Sequence, residues 1–400
     1  MRISSGSVFD TNVSMLNSQQ AALLHTNQQV ASGRRMLTPA DDPAASANVL
    51  QVTQAEGSNT QYTTNRNAAK SSIGMSEAVL QSVSTLLQDA KTMAVEAGNG
   101  ALSPADRKSI GTELHGRLEQ LIALANSTDG TGNYLFSGYQ GRTLPFVNTA
   151  AGVQYMGDDG QRKVQVSSSR QMPTSDSGAD IFMRVKSGNG KFVTEAAPNN
   201  NGTASIGQGF VTNTSLLNGT PYKLEFTGHD TFDVTDSQGQ IISQANHYVS
   251  GDAVTLPGMR IALMGTPEAG DSFTVAPSAN EGLFKTMADL ITALNTDNPA
   301  GDAATSGELT SRLSKAMSGL DQGLDRVLTV RAALGARLNE LDSLQATGED
   351  LGLQYKQTMS TLEDLDFNKA ISDLNRQTTS LQAAQKSFKQ VAELSMFNYM

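Results

Sequence analysis

The sequence contains no cysteine and no tryptophan. The first absence excludes disulfide staples, thiol nucleophiles and thiolate metal sites. The second, with aromatic residues at only 5% and hydrophobic residues at 38%, fits long helices and polar strands better than one large core. No apolar run is long enough to cross a bilayer, so no membrane insertion is expected. The opening MRISSGSVFDTNVSML lacks the apolar stretch and cleavage site of a secretory signal. That leaves cytoplasmic residence or export by a route that cuts no N-terminal signal. Basic residues are outnumbered, 29 against 39, for a formal charge of −10, which argues against nucleic acid as a main partner. Histidine is scarce as well: His25, His115, His229 and His247 lie too far apart for metal-ligand spacing.

Motifs of catalysis are missing in the same way. Gly188-Asn189-Gly190-Lys191 lacks the first glycine of a phosphate loop and has Phe192 where its Ser or Thr belongs, so it reads as a strand turn. Asp158-Asp159, between Gly157 and Gly160, reads as a hairpin turn between two strand runs rather than a cation site. Arg34-Arg35 reads as a solvated pair near Asp41 and Asp42 in preference to a specific partner contact. Asn201, Asn213 and Asn218 match a glycan-acceptor pattern too short to carry a conclusion. No nucleophile, base and orienter fall together. The expectation is a protein that is not an enzyme, with no metal and no cofactor.

Proline is the most informative scarcity, because none follows Pro299. In that stretch Leu313, Leu320, Val327, Leu334, Leu341, Gly348, Tyr355 and Leu362 fall seven apart without a break. A strict seven-residue repeat keeps one stripe of a helix against a partner. At 1.5 Å per residue the run from 313 to 362 would extend about 75 Å, which suggests a rod. This stripe is read as intramolecular core. The stripe then changes phase and resumes at Phe367, Leu374, Leu381 and Phe388, reaching Ser395. The other end of the chain carries a matching one: Phe9, Leu16, Leu23, Val30 and Leu37. Two helices of equal length, lying antiparallel, follow from this symmetry. Each looks weak alone. The second apolar position that a self-sufficient heptad wants is polar in the N-terminal stripe, at Asn12, Gln19, Thr26 and Gly33, with Val13 the exception. The expectation is that both termini are frayed in the monomer and become ordered against neighbouring copies. The assembly interface is then Phe9, Leu16, Leu23 and Val30 with Phe367, Leu374, Leu381 and Phe388.

Between the ends, TPADDPAA at 38–45 is a breaker, with Asp42 and Pro43 suited to start a second helix. That helix runs to about Ala97 and stops at Gly98-Asn99-Gly100; a third starts at Ser103-Pro104 and ends near Asn126. Residues 131–139 read as a strand leaving the bundle. From 146 to 280 short alternating runs separated by Gly, Asn, Asp and Ser predict a β-rich insertion, after which helix resumes near Glu281 and is interrupted by the polar run 295–306. The fold class is mainly α with a β insertion. Residues 1–44 and 356–400 form a terminal helical assembly domain, 45–145 and 281–355 an α-helical bundle, and 146–280 a β-rich outer domain.

Several stretches resemble the flagellin family of bacterial axial proteins, most closely its hook–filament junction branch. They are Met1-Arg2-Ile3-Ser4; Ser32-Gly33-Arg34-Arg35 with Pro39-Ala40-Asp41-Asp42-Pro43; and Gly132-Asn133-Tyr134-Leu135-Phe136-Ser137-Gly138-Tyr139 with Pro145-Phe146. Gly265-Thr266-Pro267 with Gly270-Asp271-Ser272-Phe273, and the tail from Asp366-Phe367-Asn368-Lys369 through Leu381-Gln382-Ala383-Ala384 to Ser387-Phe388, complete the set. The resemblance implies paired terminal coiled-coil helices, unprocessed export to the flagellum outside the cell, and a cytoplasmic export chaperone on the C-terminal helices. It also implies a ring of copies between the hook-side junction protein and the flagellin filament. A flagellin filament subunit is the alternative; against it, the chain ends Asn398-Tyr399-Met400 rather than with the Leu-Leu-Arg usual in flagellin. Outside the family, an enzyme or a free-standing adhesin is the rival reading.

Overall fold

The computed structural model describes residues 5–296 and 303–397; residues 1–4 and 398–400, which carry part of the resemblance, and residues 297–302 of the polar interruption lie outside it. Among the described residues six α-helices frame the chain: α1 (Ser5–Ser32), α2 (Pro43–Ala97), α3 (Pro104–Ala125), α4 (Leu283–Asn295), α5 (Ala303–Glu363) and α6 (Phe367–Phe397). The starts follow from local chemistry. Asp42 Oδ1 accepts the Ala45 amide (3.0 Å) ahead of Pro43, and Ser103 and Asp106 exchange side-chain and backbone hydrogen bonds in a capping box before Pro104. Those bonds from Ser103 hold the Asp106 carboxyl below its usual range.

Between α3 and α4 lie β1 (Phe146–Thr149), β2 (Gly152–Tyr155), β3 (Lys163–Ser167), β4 (Arg170–Pro173) and β5 (Val185–Lys186). There follow β6 (Phe192–Ala196), β7 (Ser205–Ile206), β8 (Phe210–Val211), β9 (Tyr222–Phe226) and β10 (Thr231–Asp236). The last are β11 (Ile241–His247), β12 (Ala253–Leu256), β13 (Met259–Met264), β14 (Ser272–Pro277) and β15 (Asn280–Glu281).

By contacts the chain divides into two compact units, residues 1–64 with 343–400, and residues 65–342. In the second unit, the α2 positions Ile73, Leu80, Val83 and Leu87 are buried, and so are Leu313, Leu320, Val327, Leu334 and Leu341 of α5. The intramolecular reading of the long stripe therefore holds over this part of it. Ion pairs Lys70–Asp342 (2.6 Å), Glu77–Arg331 (2.8 Å) and Lys91–Asp321 (2.5 Å) mark the antiparallel alignment of the two helices.

The β-rich region of that unit has two cores. Hairpins β1–β2 and β3–β4 adjoin an aromatic cluster in which Phe146 lies 5.4 Å from Phe182 and 5.1 Å from Phe284 of α4. Residues 192–275 build another core around Phe192, Leu224, Phe226, Ile261, Leu263, Phe273 and Val275. Its sheets are an antiparallel five-stranded one, ordered β11-β10-β9-β14-β6, and a smaller one, β12-β13-β7, with β8 also on β13. The short pair β5–β15 carries the chain in and out.

Residues 131–139 are not a strand. They form a turn-rich loop with two isolated bridges, Thr128 to Tyr134 and Ser137 to Ser177, because Asp129 gathers the donors of Thr131 and Asn133, and Gly130, Gly132 and Gly138 sit at positive φ. Nor is Gly157–Gly160 a hairpin turn, since it joins β2 to β3, which lie in different sheets. Its carboxylates already have partners: Asp158 accepts the amides of Tyr139 (2.9 Å), Gln140 (3.1 Å) and Gly160 (2.7 Å), and Asp159 accepts from Arg184 (2.5 Å) and Ser177 (3.1 Å).

Candidate assembly surface

The first unit is built from α1, the start of α2 to residue 64, the end of α5 from residue 343, and α6. Helices α1 and α6 pack on each other. Their ends fix the direction: the rings of Phe9 and Phe388 are 5.2 Å apart at one end, and at the other a β-carbon on Gly33 would lie 3.6 Å from the Phe367 ring. The pairing is antiparallel, and steps of seven from Phe9 and Phe388 set Leu16 against Leu381, Leu23 against Leu374 and Val30 against Phe367. The structure thus brings the two stripes together as one seam of two continuous helices.

The burial of that seam is incomplete. Leu16, Leu23, Val30, Leu374, Leu381 and Phe388 are half-buried, while Phe9 is 51% and Phe367 49% exposed. Met15, Leu24 and Ile371 on the same helices are exposed outright. Among the described residues of this unit, those classed as buried are Thr26, Ala45, Gly348 and Ala370, and none carries a large apolar side chain. A core needs several buried side chains, each contributing about 1.5–3 kcal/mol, to offset the entropy of ordering so much helix. The polar second stripe explains the shortfall, because Asn12, Gln19 and Thr26 stand where a complete heptad would place leucine.

A clasp at the base of the seam escaped sequence reading. Gly33, at φ +69°, ends α1 with its amide on Gln29 O (2.8 Å). The next residues bond across to the α5–α6 break: Arg35 N–H donates to Glu363 O (2.7 Å), and Leu365 N–H donates to Gly33 O (3.0 Å). Arg35 also donates through Nε (3.3 Å) and Nη2 (3.0 Å) to Leu362 O, a carbonyl left over at the end of α5. Its charge lies 3.4 Å from Asp42, and Arg34 lies 3.8 Å from Glu363. Asp41 ties the elbow from the other side, accepting the amides of Leu37 and Thr38 (both 2.8 Å) and facing His25 at 3.0 Å. The Thr38 and Leu37 amides hold its carboxyl below the ordinary range. The signal was present in Ser32-Gly33-Arg34-Arg35, but nothing local said that the partners of Gly33, Arg34 and Arg35 lay more than three hundred residues away. Among the described residues no cluster of His, Asp and Glu is arranged to hold a metal ion, and no helix is long and apolar enough to cross a membrane.

Comparison with known proteins decides the family. Residues 3–141 match the model of the bacterial flagellin N-terminal helical region. The flagellar hook-associated protein 3 of Escherichia coli is 31% identical over 398 residues, which cover 99% of this chain and 99% of that one. The chain belongs to the flagellar hook-associated protein 3 family. A solved member, the flagellar junction protein FlgL from Legionella pneumophila, superposes with a TM-score of 0.72 at 30% identity, covering 79% of this chain and 100% of that one. Flagellin of Salmonella moscow is 25% identical over 308 residues and is matched along only 61% of its length. The hook-associated protein 3 match takes in both terminal stripes, the clasp and the β-rich middle alike.

Proposed function

We propose that this chain is the structural adaptor between hook and filament in a bacterial flagellum, acting after export from the cytoplasm and without catalysis of its own. The observation that carries the reading is the seam: two paired helices whose large apolar residues, Phe9, Leu16, Leu23, Val30, Phe367, Leu374, Leu381 and Phe388, are left half-exposed. Such a surface reaches full burial only against other helices, so neighbouring copies in a ring complete it. The hook-side junction protein lies on one side of that ring and flagellin on the other. Before export the same residues need shielding, which fits a cytoplasmic chaperone on the C-terminal helices. On this division of labour residues 1–44 and 356–400 assemble, residues 45–145 and 281–355 pack laterally as a bundle, and residues 146–280 form the outer surface.

Electron microscopy of flagella from a strain lacking the gene tests this directly. Hooks without filaments are expected; filaments of normal length and attachment would overturn the reading. A filament subunit is the second reading, supported by the flagellin likeness. It requires that the purified protein grow long filaments alone, whereas an adaptor stays short.

A further inference from the structure

Four asparagines of the chain precede a glycine: Asn99, Asn189, Asn201 and Asn218. Such a pair rearranges without an enzyme. The glycine nitrogen gives its proton to water and attacks the asparagine Cγ, the Cγ–Nδ2 bond breaks, and ammonia leaves. Water then opens the five-membered imide at either carbonyl, which yields aspartate or isoaspartate. The reaction needs a side chain free to swing onto the next nitrogen, an N–H open to water, and a backbone that can follow. Glycine supplies the last where nothing clamps it.

The fold treats the four pairs unequally. Asn189 is locked: its Oδ1 accepts the amides of Lys191 (3.0 Å) and Phe192 (2.9 Å), its Nδ2 donates to Gly209 O (3.4 Å), and the attacking nitrogen, that of Gly190, donates to Ser187 O (3.2 Å). So is Asn201, because Gly202 is buried and its N–H donates to Asp271 Oδ2 (3.0 Å), while Asn201 N–H donates to Oδ1 of the same buried carboxylate (2.7 Å). Asn218 is exposed, but its Oδ1 is held twice, by the Thr220 amide and by the hydroxyl of buried Tyr222 (both 3.1 Å). Asn99 is the least restrained. It and Gly100 are both exposed, and its Oδ1 accepts the Ala101 amide alone (3.0 Å). Neither its Nδ2 nor the Gly100 amide has a hydrogen-bond partner among the described residues.

We propose that Asn99 is a site of spontaneous modification, converting to aspartate and isoaspartate ahead of the other three. Its position gives the change a structural consequence. The product carries a negative charge at the carbonyl end of α2, three residues after Glu96, where the helix dipole opposes it. The isoaspartate form also adds a carbon to the main chain inside the turn that Leu102 N–H closes on Asn99 O (3.1 Å), just ahead of the Ser103–Asp106 cap of α3. Modification therefore loosens the join between α2 and α3.

Peptide mass spectrometry on the full-length protein, held at mildly alkaline pH and sampled over weeks, tests it. Position 99 converts at least about tenfold faster than 189 or 201, where hydrogen bonds must open before the nitrogen can attack. Gly100→Ala, whose β-carbon meets nothing within 4 Å, keeps the fold and slows conversion at 99. Tyr222→Phe frees Asn218 of one bond and speeds that site about fivefold with Asn99 unchanged. Equal conversion at all four sites would overturn the proposal. So would conversion at 189 or 201 before 99, or a Gly100→Ala chain that converts at the original rate. In the converted protein, amide exchange rises over residues 100–107; exchange as slow as before would overturn the structural consequence.

Discussion

At the scale of single residues, the chain ends and bends where one side chain, or the lack of one, decides the backbone. Gly33 is the clearest case. Its φ of +69° is the left-handed conformation, and the space around it is open enough that the Phe367 ring would touch a β-carbon only at 3.6 Å. Strain, not collision, is therefore the cost of Gly33→Ala, about 1–2 kcal/mol. It should appear as roughly five- to thirtyfold faster exchange of the last-turn amides of α1. The carboxylates of the 129–160 loops make a pH argument. Burial works against the charge of Asp129, but the donors of Asn133 and Thr131 outweigh it and hold its pKa well below the ordinary 3.8. The Tyr139 amide, with those of Gly160 and Gln140, does the same for Asp158. A folded pKa below the unfolded one means the stabilisation is complete above the unfolded value and is lost as pH falls through the folded value. Below about pH 4, then, the loop around Tyr134, Tyr139 and Tyr155 should loosen, seen as loss of near-UV tyrosine circular dichroism. Asp158→Asn should flatten that response.

At the scale of elements, similar seven-residue stripes end in different states. Leu313, Leu320, Val327, Leu334 and Leu341 are buried, while Leu16, Leu23, Leu374 and Leu381 are half-buried. The difference lies in their neighbours: α5 lies along the apolar face of α2, whereas α1 and α6 offer each other a stripe interrupted by Gln19, Thr26 and Gln377. Leu320→Asp should therefore cost at least about 3 kcal/mol in the unit of residues 65–342. Leu16→Asp or Leu381→Asp should abolish motility with the melting of that unit nearly unchanged; a collapse of its melting would make the terminal stripes ordinary core.

These elements were also the most legible ones. Helix periodicity and caps such as Ser103-Pro104 are local signals, and so is the alternation in β9, β10, β13 and β14. The strand β11, Ile-Ile-Ser-Gln-Ala-Asn-His, was not readable. It is an edge strand with register shifts against β10 and a positive φ at Ala245, so its side chains do not alternate. The 131–139 loop misled for the opposite reason: its aromatic residues suit a strand, but its glycines and the Asp129 turn bend it. The clasp was invisible because it depends on which distant residue stands opposite.

At the scale of the whole molecule, the chain nests one folding problem inside another, and the neck at β5–β15 is where they join. Ser187 N–H donates to Ala279 O (2.9 Å), Ala279 N–H donates to Ser187 Oγ (3.1 Å), and Ser278 Oγ donates to Ser187 O (2.7 Å). Residues 188–278 thus leave and return through adjacent strands, and the second β core lies within that span. A chain whose ends lie side by side loses little loop entropy when the insertion is replaced by a short turn. Replacing residues 188–278 with a brief glycine-serine turn should leave α2, α3 and α4 folded, with helical circular dichroism melting in one transition. It should not leave α5 untouched. The Ile206 amide donates to Ser311 Oγ (3.1 Å), Lys315 pairs with Glu195, and a β-carbon on Gly307 would meet Thr203 O at 2.6 Å, so the first turns of α5 rest on the excised part. Exchange should therefore accelerate over residues 306–316 and remain slow from Leu320 onward. Loss of the helical transition altogether would mean that the β-rich part is needed to fold the bundle and is not an insertion into it.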